Sequence, residues 1–361
     1  MDIDKLYEKA LSPDPVSTDE GVALYNLAPL PDLMFIADRL RKVHKHGANV
    51  GWIIDRNINI TNICYSRCYF CNFCRKKGDK DAFVTTREQY HEKIEGLFAA
   101  GGNQVLLQGG MNPDLGLDFY TDLFTYLKKL YPTLRLHALG PPEIVFLAAR
   151  EKISYLDVLS RLVDAGLDSL PGAGAEILSE RVRKIVSPAK CSAEEWIEVM
   201  RTAHGINLPT SATMMFGHAE TVRERIEHLV KLRELQAGKK EDHHGFITFI
   251  PWPFMDEATR LKESMGINST FNRPDYIRII ALSRIMLNNI RNIQASILTV
   301  GKETAMMSLH AGANDLGSVM MEENVVSSAG SKYSFSANDL QAIIMEAGFS
   351  PVRRNQKYEP V

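Results

Sequence analysis

The sequence predicts an α/β chain folded as a (β/α)8 TIM-type barrel with an N-terminal helical extension and a C-terminal helix. Three observations carry this expectation. Short apolar, β-branched runs recur eight times, helical segments with recognisable starts lie between them, and small and polar residues collect where the runs end. Alternating strands and helices argue for a parallel sheet, and eight strands is the number that closes such a sheet into a barrel. An open doubly wound sheet is the alternative that the same pattern allows.

Residues 1–48 read as helical decoration ahead of the first strand. Strands are expected at "WIIDRNINIT" (52–61), "QVLLQGG" (104–110), "RLHALG" (135–140) and "LDSLPG" (167–172). Four more are expected at "TSATMMFG" (210–217), "GFITFIPWPF" (245–254), "NIQASILTVG" (292–301) and "DLGSVMMEEN" (315–324). Between them, Thr86 with Gln89, Ser192 with Glu195 and Thr221 with Glu224 have capping-box spacing, in which each side chain satisfies a free backbone N–H at a helix start. After Thr221, the residues Val222, Ile226, Leu229 and Val230 repeat at helical period on one apolar face. The polar "AGKKEDHH" (237–244) reads as a surface connection. The expected organisation is an extension over 1–48, a barrel over 49–336, and a helix with a tail over 337–361.

The 361 residues are 45% hydrophobic and 24% charged, ordinary globular values, and the net charge of −2 leaves no electrostatic footprint for nucleic acid or an anionic membrane. The acidic start lacks the basic and apolar regions of a signal peptide, and no apolar run approaches the roughly 18 residues that span a bilayer. Four of the five cysteines crowd into "CYSRCYFCNFCRK" (64–76). Such crowding is unlike a secreted disulfide framework and points to metal or catalysis in a reducing compartment, so a cytoplasmic location is expected.

Cys64, Cys68 and Cys71 give C-x3-C-x2-C, with Cys74 a further x2 on. This differs from a bacterial ferredoxin run. Structural zinc usually draws thiolate pairs from two separated knuckles, and Cys191 stands alone. Three thiolates on one short loop would instead hold three irons of a [4Fe-4S] cube and leave the fourth open to a ligand. That favours catalysis over an electron carrier or a zinc-binding module, the two readings from other functional classes. The loop follows strand one, on the barrel face where chemistry gathers.

This loop resembles that of the radical S-adenosylmethionine superfamily. The resemblance implies that Cys64, Cys68 and Cys71 hold a cluster whose open iron chelates S-adenosyl-L-methionine, and that reductive cleavage yields a 5′-deoxyadenosyl radical. It implies an external one-electron reductant such as flavodoxin or ferredoxin. It places Phe70 against the adenine, and Gly109 and Gly110 of "LLQGGMNP" near the methionine amino group, where Met111 replaces the usual acidic residue. It reads "TMMFGHAE" as a third motif that keeps Gly217 and Glu220, with Thr213 in place of its first glycine. Beyond these motifs, "LHALGPPEI", "GLDSLPGAGAEIL", "SPAKCSAEEWIEVMRTAH", "FIPWPF" and "GANDLGSVMMEENVV" together resemble cyclic dehypoxanthinyl futalosine synthases of menaquinone biosynthesis over roughly residues 48–352. Likeness to that family implies abstraction of the ribose C4′ hydrogen of dehypoxanthine futalosine, then attack on its benzoate ring. Aminofutalosine synthase and the deazaflavin-forming radical enzymes are the near alternatives, and "FIPWPF" and "HALGPPEI" lean toward the cyclising enzyme.

Other residues admit two readings each. His137, at the end of strand three, is a core histidine or a substrate contact. Glu176 is a carboxylate favoured by a helix N-terminus or, by the resemblance, an acceptor for the cofactor ribose. Gln294 and Ser296 alternate along strand seven and would meet substrate if that face is the lumen. Asn314 and Asp315 are an Asx turn or a polar site. The final proton needs an acceptor, for which His137, His218 and Glu220 are candidates. Arg56, Arg181 and Arg183 are candidates for the substrate carboxylate, since guanidinium offers bidentate geometry.

Overall fold

The computed structural model describes residues 2–12, 14–44, 47–322, 328, 330 and 333–361. Eight parallel strand positions close on themselves. β2 (Asp55–Asn59), β3 (Gln104–Gln108) and β4 (Arg135–Ala138) pair in order. Position four is reduced to bridges, Ser169 to His137 on one side and Leu170 to Thr210 on the other. β5 (Thr210–Phe216), β6 (Phe246–Pro253) and β7 (Asn292–Ile293) continue the order. Gln294 bridges to Asp315 at the start of β8 (Asp315–Ser318), and Met321 bridges to Arg56 of β2, which completes the ring. The closed barrel, not the open sheet, is the fold.

Strand parity sorts the side chains. Asn59, Leu106, Gln108, His137, Ser211, Thr213, Ile250 and Trp252 face the interior cavity. Their neighbours Ile58, Val105, Leu107, Leu136, Ala212 and Phe249 are fully buried in the surrounding core. The alternation has a period of two, as successive strand side chains require. The three predicted capping boxes form, at the starts of α4 (Arg87–Ala99), α9 (Ala193–Gly205) and α10 (Val222–Ala237).

Several elements differ from the expectation. The first strand begins earlier, as β1 (Asn49–Ile53), and runs on into β2. The run expected as strand seven to residue 301 stops at Ile293, and Ile297–Leu309 is helix α13 instead. Its β-branched residues suit a strand, but Ile297, Thr299 and Val300 are buried in a short helical turn that ends at a kink on Gly301 (φ +77°), an instance of tertiary packing overriding propensity. Strand eight ends at Ser318, and residues 323–324 of its expected span lie outside the described residues. The N-terminal extension is three helices, α1 (Ile3–Ala10), α2 (Thr18–Leu27) and α3 (Leu30–His44). The C-terminal segment has its helix, α14 (Ala337–Glu346), but continues as strand β9 (Ser350–Arg353), which pairs in parallel with β1. No described helix is long and apolar enough to cross a membrane.

Candidate active site

The strands' C-terminal ends enclose a cavity of about 360 Å³, and all four clustered cysteines line it. The cysteine loop leaves β2 and is tied down along its length. Cys64 N–H donates to the Arg75 carbonyl (3.1 Å), Arg75 N–H to Asn62 (2.8 Å), and Tyr69 N–H to Val186 (2.8 Å). Arg67, within the loop, holds φ at +46°, a left-handed conformation that costs a non-glycine residue roughly 1–2 kcal/mol.

Gly109 and Gly110 form the wall behind the loop. A Cβ on Gly110 would stand 2.8 Å from Cβ of Cys64 and closer still to the Ile63 carbonyl, so only glycine lets the end of β3 approach the thiols. The next amide, on Met111, donates to Sγ of Cys64 at 3.4 Å. Together with a hydrogen bond from the Cys74 thiol, the stronger influence, it draws the Cys64 thiol pKa down. Burial pushes Cys68 up, and Cys71 up to about 11. Cys74 Sγ also lies 3.4 Å from the Cys64 carbonyl, its acceptor.

Lys190 is the counter-charge. Its ammonium lies 2.9 Å from Oε1 of Glu176 and 5.1 Å over the ring of Phe70, and all three residues line the cavity. Burial opposes the Lys190 charge, but the Cys68 and Glu176 charges together outweigh burial and raise its pKa. Glu176 itself holds φ at +43°, a strained conformation of the kind that gathers at functional sites. Among the described lining residues, Lys190 is the one Lys or Arg.

His137 is lined up on the floor with a ring nitrogen against the Ser169 hydroxyl. Burial lowers its pKa to about 4, so the ring is neutral at ordinary pH. Gln294 and Ser296 both line the cavity, although Ser296 does so as the residue preceding α13 rather than from a strand.

Three expected site residues need correction. Gly217, His218 and Glu220 do not line the cavity. They fold into their own turn: Glu220 accepts from the amides of Gly217 (2.6 Å) and His218 (2.9 Å) and pairs with Arg225 (2.7 Å). Both His218 ring nitrogens are engaged by backbone: Nε2 donates to the Met215 carbonyl (3.0 Å) and Nδ1 accepts from the Ala219 N–H (2.7 Å). Neither side chain is free to receive a substrate proton. The candidate arginines are likewise engaged elsewhere. Arg56 pairs with Glu322 (2.8 Å), Arg181 pairs with Glu224 (2.5 Å), and buried Arg183 donates to the carbonyls of Gly174, Ala175 and Cys191. Asp315 does form the Asx turn, accepting from Gly317 N–H at 2.7 Å.

Sequence reading missed Glu143 as a site residue. It sits in the first turn of α6 (Pro141–Glu151), lines the cavity, and has no ion-pair partner among the described residues. Burial raises its pKa to about 7. The available signal was Pro-Pro-Glu opening a helix directly after a strand, where proline suits the first helical positions and a carboxylate favours the helix N-terminus.

Among the described residues no three His, Cys, Asp or Glu converge as ligands of a single ion. A four-iron cube spreads its thiolates over different irons and needs no such convergence. The loop of three half-buried thiols, the adjacent glycine turn and the buried cation therefore suit an anionic cluster with an open iron. If Cys64, Cys68 and Cys71 suffice, Cys74→Ser should keep about four irons per chain and most of its activity. Iron analysis and turnover on one preparation would check this, and emptying of the site would make Cys74 a ligand.

Residues 58–232 match the model of the radical SAM superfamily, and residues 243–361 match the CofH/MqnC C-terminal region. The chain is 38% identical to cyclic dehypoxanthine futalosine synthase of Streptomyces coelicolor, over 99% of this chain and 88% of that one. It is also 38% identical to the 5-amino-6-(D-ribitylamino)uracil–L-tyrosine 4-hydroxyphenyl transferase 1 of Methanosarcina barkeri, over 95% of this chain and 90% of that one. Among solved structures, methylornithine synthase superposes with a TM-score of 0.72 at 18% identity, covering 96% of this chain and 97% of that one, which shows a shared fold. The chain belongs to the radical SAM superfamily, within the family that carries the CofH/MqnC C-terminal region.

Proposed function

We propose that this chain converts dehypoxanthine futalosine to cyclic dehypoxanthine futalosine in menaquinone biosynthesis, as the name of its Streptomyces coelicolor relative implies for that protein. One observation favours this over the transferase activity of equally similar relatives. The two segments that lean toward the cyclising enzyme, "HALGPPEI" and "FIPWPF", both supply cavity walls: His137, Pro142 and Glu143 from the first, Ile250 and Trp252 from the second.

Bound together, the cluster and S-adenosyl-L-methionine supply a hydrogen-abstracting radical, and the protein's task is binding, orientation and exclusion of side reactions. Cys64, Cys68 and Cys71 would hold the cluster. The turn at Gly109 and Gly110, with the Glu143 carboxylate, would receive the methionine amine in place of the acidic residue that Met111 replaces. Lys190 would meet the cofactor carboxylate, Glu176 the ribose and Phe70 the adenine. Abstraction at the ribose C4′ position leaves a carbon radical that must reach the benzoate ring, so both groups must lie within one cavity. The apolar faces of Ile250 and Trp252 suit the ring, and His137 remains as the proton acceptor of the three considered. We place the protein in the cytoplasm, with flavodoxin or ferredoxin as reductant.

The test is competition among substrates. Reduced, reconstituted enzyme should cyclise dehypoxanthine futalosine and should form no adduct from tyrosine with 5-amino-6-(D-ribitylamino)uracil, and no aminofutalosine. Product from either alternative substrate set, with none from dehypoxanthine futalosine, would move the chain to a sister activity.

A further inference from the structure

The last residues of the chain reach the active-site floor. After β9 the chain turns back on itself, with Arg354 bridging to Pro360 and Val361 N–H donating to the Arg353 carbonyl at 3.0 Å. Arg354 is 7% exposed and donates through Nη2 to Oδ1 of Asp315 at 2.9 Å; Asp315 is fully buried. Asp315 opens β8, while Leu316, Ser318 and Met320 further along line the cavity, so this ion pair lies beneath the cavity floor. The Tyr358 ring lies under the guanidinium, with Cζ of Arg354 3.6 Å from its centroid. Tyr358 holds φ at +63°, a left-handed conformation that its surroundings must maintain.

What this segment touches is Gln294. Tyr358 O–H donates to Gln294 Oε1 at 3.0 Å, and Arg354 Nη2 donates to the same atom at 3.4 Å. A guanidinium can only donate, so the atom facing it is the amide oxygen and the opposite end is the NH2 group. That end passes over Gly317, where a Cβ would stand 2.9 Å from Cδ of Gln294. Among the described residues the NH2 group meets no acceptor, and Gln294 lines the cavity. An amide is ambivalent between donor and acceptor; here two donors from the tail remove the ambivalence.

We propose that the C-terminal tail presets Gln294 as a hydrogen-bond donor to an acceptor oxygen of the substrate, with Tyr358 as its positioning residue. This rests on the cavity being the substrate site. Without the tyrosine hydroxyl the amide oxygen keeps only the longer contact to Arg354 (3.4 Å), so the NH2 group is held less firmly toward a substrate oxygen.

The test uses full-length reconstituted enzyme and whichever of the three substrate sets the wild type turns over. That choice separates failure of this inference from failure of the assigned reaction. Tyr358→Phe keeps the ring under Arg354 and removes only the hydroxyl. It should raise the substrate KM about three- to tenfold, the loss of one hydrogen bond. Iron content, KM for S-adenosyl-L-methionine and its cleavage without substrate should not change. Gln294→Ala should raise the substrate KM at least as far, and the double variant should be no worse than Gln294→Ala, because Tyr358 acts only through that side chain. A substrate KM unchanged in Tyr358→Phe would overturn the inference. So would additive effects in the double variant, or a loss of iron and cofactor affinity that accounts for the whole defect.

Discussion

Replacing any one of Cys64, Cys68 or Cys71 by Ala is expected to abolish cleavage of S-adenosyl-L-methionine, with iron content falling well below four per chain. The three thiols stand on one loop whose backbone is fixed at Cys64, at Tyr69 and by the Cys71-to-Cys68 turn (3.1 Å). A missing ligand therefore cannot be replaced by sliding a neighbour into place. Cys74 is the one thiol near enough to try, and its contacts run to Cys64 rather than outward. Iron and sulfide analysis together with 5′-deoxyadenosine formation would check this, and full cleavage by any single variant would remove that cysteine from the cluster.

Lys190→Ala should weaken cofactor binding at least about tenfold, or ~1.4 kcal/mol. Its ammonium is the only Lys or Arg charge among the described cavity-lining residues, paired with Glu176 and set over the ring of Phe70. Breaking a buried pair by removing one partner strands the other charge, commonly at a cost of roughly 3–5 kcal/mol. With Lys190 gone, Glu176 and the thiolates face the cavity uncompensated, and the negative cofactor carboxylate loses its counter-ion. Lys190→Arg should recover part of the loss. The measurement is the change in the reduced cluster's EPR spectrum on titrating S-adenosyl-L-methionine, in preparations matched for iron. An unshifted titration would take Lys190 out of the cofactor site.

The legible parts of this protein were those with local physical causes. A capping box closes within four residues, so Thr86, Ser192 and Thr221 announced their helices without help from the fold. The cysteine spacing is equally local. Elements whose partners are distant in sequence were misread or missed. β9 is four residues, "SPVR", with no strand pattern of its own; it forms because β1, at the other end of the chain, offers an open edge. The first residues of α13, 297–301, look like a strand until the barrel buries them.

The site divides the same way. Gln294 could be placed by strand parity and His137 by its position at a strand end, and both reach the cavity. His218 and Glu220 also stand after a strand end, but their side chains turn back to bind their own backbone, a choice made by Arg225 on the following helix. Lys190 lies in a loop between helices, where no periodicity marks it. Glu143 had only its Pro-Pro-Glu helix start to mark it, and Lys190 becomes conspicuous only once burial is known, because an ionisable group in an apolar cavity needs a partner and its sequence neighbours do not reveal one.

The most direct test of the cyclase reading uses dehypoxanthine futalosine deuterated at the ribose C4′ position. Reduced, reconstituted wild-type enzyme should deliver the label to 5′-deoxyadenosine and release a cyclic product without deuterium at that carbon. A cyclic product that retains the label at C4′, or unlabelled 5′-deoxyadenosine formed in step with product, would contradict the proposed abstraction and the arrangement of the cavity built on it.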